Sequence, residues 1–148
     1  MKLVKVLPII VLFFAINSWA QNSVTEIKTK SGVKYITTSV DFPITGTYLF
    51  KGAEPTVELN GSGTGNYQLH ELPNRAIIWG LECDENGVLK FIKGFNSSAY
   101  ILWYQFTDSS ENTPNGNWTS VEFSIHFNTS KMYIQGERVK DFGEPTSK

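Results

Sequence analysis

Few residues in this chain have a spacing that could organise chemistry. The clearest is Gly61-x-Gly63-x-Gly65, within "ELNGSGTGNYQLHE". A glycine-rich loop holds a phosphate when a helix follows it and offers its first amides and its dipole to the anion. The residues after Gly65, Asn66 to His70, alternate polar and apolar instead, and no lysine follows at P-loop spacing. The spacing predicts a reversal between two strands. Asn60-Gly61 would take the positive-φ positions of the turn, and Gly63 and Gly65 would open the next strand with a bulge or strong twist. His70 and His126 stand far apart, with no His-x-His or His-Glu-x-x-His spacing, so the pattern indicates neither a metal site nor a cofactor. Glu71, Glu82, Asp84 and Glu85 gather around expected turns. A glycosidase pair must face across a cleft, which one sequence does not specify, so no residue is assigned as catalytic. Whether the chain is an enzyme stays open at this level. The one cysteine, Cys83, shares a strand face with Leu81, Trp79 and Ile77 and reads as a small buried apolar residue.

Aromatic residues are the most prominent chemical feature, at 14% of the chain. Most must lie in the core, where they carry large buried areas. Polar-tipped aromatics also suit a pocket for an apolar or sugar-like ligand. Trp79, Trp103 and Tyr104 are the candidates to line such a pocket, with Trp118 near its mouth, at the exit of the polar loop 107–117. That loop is either a simple connection or a lid.

No segment has a convincing 3.6-residue apolar period. Short alternating runs separated by turn residues predict a single antiparallel all-β meander of eight to ten strands. A lipocalin-like barrel is the expected form and a β-sandwich the alternative. "VTEIKT" and "VKYITT" read as a hairpin within residues 21–44, peripheral to the rest. Asn86-Gly87 marks a hairpin turn, and Gln135-Gly136 another. In "WTSVEFSIHF" one face is apolar and the other polar. In "AYILWYQF" Tyr100, Leu102, Tyr104 and Phe106 alternate with Ile101 and Trp103, so both faces are apolar. Such a strand is covered on both sides, or has one side on a core and one lining a cavity.

The first residues, "MKLVKVLPIIVLFFAINSWAQ", join two lysines to an apolar run and end in small residues at Ser18 and Ala20. This is the pattern of a signal peptide over residues 1–20. The run from Val6 to Ile16 is shorter than the roughly 20 residues that a membrane span needs. The expectation is a single domain over 21–148, exported to the periplasm or secreted, and soluble after the leader is removed. The whole chain has a formal charge of −1, and losing Lys2 and Lys5 makes it more negative. A weakly acidic chain has no electrostatic reason to bind nucleic acid. With one cysteine, no internal disulfide can hold the domain, so its core must. The sequons at Asn60, Asn96, Asn117 and Asn128 matter only in a host that glycosylates exported proteins.

"GTYLF", "VELNGSGTG" and "IIWGLECDENG", in that order over residues 45–106, give the chain a resemblance to small lipocalin-like β-barrel domains exported by bacteria. The family opens with Gly-x-Trp, whose Trp is covered by an Arg from near the end of the barrel. Gly46-Thr47-Tyr48 matches that motif with Tyr in place of Trp, and Arg138 is the candidate cover. The resemblance implies that Tyr48 and Arg138 pack together and that the barrel interior is open to small hydrophobic molecules. The functional expectation is an exported small-molecule-binding module without catalysis. The alternative is a periplasmic protein-binding inhibitor or immunity-type protein, which has a protein partner instead.

Overall fold

A computed structural model describes residues 23–108 and 116–143; the expected leader lies outside them, as does most of loop 107–117. The described chain is all β. Its strands are β1 (Val24–Thr29), β2 (Gly32–Thr37), β3 (Gly46–Phe50), β4 (Ala53–Leu59), β5 (Thr64–Gln68) and β6 (Asn74–Cys83). They continue as β7 (Phe91–Lys93), β8 (Ser97–Phe106), β9 (Trp118–His126), β10 (Lys131–Ile134) and β11 (Arg138–Asp141). Every pairing is antiparallel. The order β6-β5-β4-β3-β11-β10-β9-β8 closes on itself where Ile77–Leu81 of β6 pairs with Leu102–Phe106 of β8. The result is an eight-stranded barrel consistent with a lipocalin-like one. Strands β1, β2 and β7 lie outside the closed ring.

Local chemistry sets the reversals. Lys51-Gly52 and Gln135-Gly136 both have positive φ at two successive residues; the first makes the two-residue β3–β4 hairpin and the second lies in the three-residue β10–β11 connection. After β6, the Asp84 carboxylate accepts the amides of Asn86 and Val88 at 2.8 and 2.9 Å, and Gly87 takes φ +85°. The Asn86-Gly87 pair thus belongs to a turn clamped by Asp84, two residues before Asn86. The glycine-rich turn departs from expectation in its details. Its positive φ falls on Gly63, not on Asn60-Gly61. Gly65 sits in the ladder opposite Leu59, where a Cβ would run into the Glu58 carbonyl oxygen. Close backbone approach, more than twist, fixes glycine there.

Eight strands enclose a space about wide enough for side chains to fill, and aromatics fill this one. Tyr67 stacks on Tyr104 with ring centres 4.3 Å apart, and Tyr104 meets Phe106 edge-on at 5.5 Å. Tyr48 meets Phe123 edge-on at 6.3 Å. At the end holding the β3–β4, β5–β6 and β10–β11 turns, two buried arginines close the core. Arg138 lies 5.1 Å from the Tyr67 ring centre and donates to the Gln68 carbonyl at 2.8 Å and to Glu137 at 2.6 Å. Arg75 lies 3.9 Å over Phe106 and donates to Asp108 at 2.9 Å. At the opposite end, the segment before β3 folds across the core. Phe42 stacks near Phe123, and the Tyr48 hydroxyl donates to the Ile44 carbonyl at 2.6 Å. Arg138 and Tyr48 therefore each find partners other than one another.

The long strand β6 changes neighbours along its length. Its first half pairs with β5 and its last residues pair with β2. The strand twist carries the β1–β2 hairpin across the outside of the barrel, where it reaches β9. Ile27 and Ile36 come down on Trp103 there, with Trp118 packed alongside, forming a second small core outside the ring. Gly80 makes the room: a Cβ on it would strike the Ile36 side chain at 2.9 Å.

Candidate functional site

The two apolar faces of β8 have separate fates. Tyr100, Leu102, Tyr104 and Phe106 point into the barrel core. Trp103, on the outer face, is sealed under the hairpin. Ile101, two residues away on the same outer face, is left 41% exposed. Around it the wall forms a groove of about 410 Å³.

Each residue of that groove is placed by register. Ile101 lies across from Glu122 of β9, and Trp103 from Ser120. Ile92 of β7 lies across from Ala99 of β8. The alternation of a strand therefore sends Ile92, Ala99, Ile101, Ser120 and Glu122 to one outer surface. Glu82 borders it, because β6 turns away to join β2 and leaves its last outward side chain beside β8. That carboxylate is only 4% exposed. It accepts the Trp103 indole N–H at 2.7 Å, with Lys90 at 3.5 Å and Lys34 at 3.7 Å. A carboxylate removed from water is costly unless it gains such partners. Opposite it the rim is apolar: Ile92 is 78% exposed, and Phe91 stacks on Tyr100 at 5.4 Å with half its surface in solvent.

The four residues predicted to share a pocket are divided by the barrel wall. Trp79 and Tyr104 are buried in the barrel core. The Trp79 indole donates to the Asn60 and Thr64 carbonyls at 3.2 and 2.9 Å, tying the glycine-rich turn to the barrel. Trp103 and Trp118 lie outside, against the hairpin. Trp79 and Trp118 both border a second, smaller cleft between the hairpin and the glycine-rich turn.

The remaining candidates are dispersed. His70 bonds Glu137 at 3.0 Å, and His126 packs against Tyr133 with ring centres 4.9 Å apart. No cluster of three metal-ligating side chains occurs among the described residues. Cys83 is buried, and desolvation pushes its thiol above the ordinary range, which favours the unreactive neutral form. Sequence reasoning passed over Ile92, Ile101, Ser120 and Glu122. The signal was present in the doubly apolar β8, but the residue left uncovered on its outer face depends on where a distant hairpin lands. No family model, curated protein or solved structure matches the chain.

Proposed function

We propose that the protein is a non-catalytic binding module that takes a small apolar ligand on the outside of its barrel wall. The groove around Ile101 carries this reading. At about 410 Å³ it falls in the range of small-molecule sites, and it combines apolar contacts with a few placed polar groups, as such sites do. Ile92 and Ile101 would supply the burial, and Glu82, Lys90 and Ser120 would orient a polar end. A lipocalin-like origin would supply the barrel, with its lumen given over to packing. In this reading the module is exported, with residues 1–20 removed.

Titration of the mature protein with dodecanol and cholesterol, followed by tryptophan emission, tests it. Trp103 reports directly, because its indole bonds the Glu82 carboxylate at the groove. We expect saturable binding that Ile101→Asp weakens by about tenfold or more, the equivalent of losing one buried isoleucine. Saturable binding unaffected by Ile101→Asp, or no binding of either probe, would contradict the reading.

A protein partner is the second reading. Phe95 is fully exposed, and Val88 and Phe127 are each more than half exposed. The Phe127 amide bonds the Asn96 carbonyl at 2.9 Å, which brings that part of the surface together. Exposed apolar patches of this kind mark interaction surfaces. Recovery of one stoichiometric protein from envelope extract, lost on Phe95→Asp, would favour this reading over the first.

A further inference from the structure

The second cleft has a different chemistry from the groove. It lies where the β1–β2 hairpin, the glycine-rich turn and the first residue of β9 converge, and its volume is about 200 Å³. Trp118 lines it, packed against Ile27, Ile36 and Trp103 and partly open to solvent. Thr25, Thr37, Thr38 and Ser62 line it as well, and Trp79 borders it. None of its lining residues among the described ones is ionisable.

We infer that this cleft is a binding site for a single neutral, hydroxyl-rich ring, a monosaccharide or the terminal residue of a glycan. The absence of charge among its described lining residues argues against an anion or a cation as ligand. A wholly apolar ligand would offer the clustered hydroxyls no hydrogen bond in place of the water it displaces, which costs free energy. A sugar ring meets both demands: its C–H face packs on an indole, and its hydroxyls exchange hydrogen bonds with Thr and Ser, each of which has one donor and two acceptor positions. The cleft's volume of about 200 Å³ suits one ring and not a chain.

The frame is already set. The buried Thr37 hydroxyl accepts the Ser39 amide at 3.0 Å, and Ser62 bonds Thr64 at 2.8 Å. Gly63, at φ +82°, carries the turn past Thr38, where a Cβ would lie in ordinary contact, 3.4 Å from the threonine methyl. The glycine-rich segment thus acquires a binding role, as one wall of a sugar cleft.

This inference is independent of the apolar groove, and one experiment separates them. The mature protein is titrated with glucose, galactose, mannose, fucose and N-acetylglucosamine, observed by saturation-transfer NMR and by tryptophan emission. At least one sugar is expected to bind. Trp118→Ala and Thr38→Val should each weaken it about tenfold, Trp118→Phe should retain most of it, and Ile101→Asp should leave it unchanged. Each variant is first checked for a native circular dichroism spectrum, and Thr38→Val, which removes one hydroxyl and adds no bulk, guards against misfolding of the Trp118 variant. No binding by any of the five sugars, or binding indifferent to both Trp118→Ala and Thr38→Val, would overturn the assignment.

Discussion

Arg138 is among the most deeply buried side chains of the barrel and is held from three sides, by Tyr67, Gln68 and the Gln135–Glu137 turn. Its replacement by Met keeps the length of the side chain but leaves the Gln68 carbonyl without its charged donor. We expect a loss of about 2–3 kcal/mol, measured as a lower urea midpoint with an unchanged slope. Two buried tyrosines give a pH signature. Burial raises the hydroxyls of Tyr48 and Tyr67 well above the ordinary tyrosine range. In the unfolded chain they ionise near pH 10, so above that pH the unfolded state loses protons that the folded state keeps. Stability from these groups is complete below about pH 10 and falls as pH rises past it, by about 1.4 kcal/mol per unit for each tyrosine. Absorbance at the phenolate band should therefore rise in step with unfolding; free titration of these two tyrosines in the folded protein would contradict their burial.

At the scale of elements, the hairpin turns a plain barrel wall into a wall with two clefts. It seals Trp103, leaves Ile101 open on one side and frames the hydroxyl-lined cleft on the other. Its seat depends on Gly80, whose missing side chain Ile36 occupies. Gly80→Val should unseat it at a cost of about 1–3 kcal/mol. Amide exchange should then quicken in β1 and β2 while β3–β5 and β9–β11 stay protected, and Trp103 emission should shift to the red. Uniform loss of protection would mean that hairpin and barrel form one cooperative unit.

Much of this architecture was legible in the sequence, because strands and turns are written locally. The dry and wet faces of β9 follow from its alternation, and Gln135-Gly136 marks the β10–β11 hairpin by residue type. The placement of Trp103 and Tyr104 on opposite faces was legible too, being a matter of parity. What covers each face was not. Trp103 is buried by Ile27 and Ile36, residues far away in the chain, and Gly80 reads as a weak point in a strand until its neighbour across the sheet is known. The same non-local packing divided the expected aromatic pocket, sending Trp79 and Tyr104 into the barrel and Trp103 and Trp118 to its outside.

At the scale of the whole molecule, the barrel is a solid frame. Stacked tyrosines occupy its interior, and two arginines and the segment before β3 close its ends. In the proposed reading, recognition falls to the outer wall, which an eight-stranded barrel with a filled lumen holds rigid. The most direct test of that account is an amide and methyl NMR map of labelled protein spanning residues 21–148, titrated with dodecanol. The account predicts shifts confined to Glu82, Ile92, Ala99, Ile101, Ser120 and Glu122. Shifts centred on Tyr48, Tyr67, Leu102 and Tyr104 would place the ligand inside the barrel and contradict it.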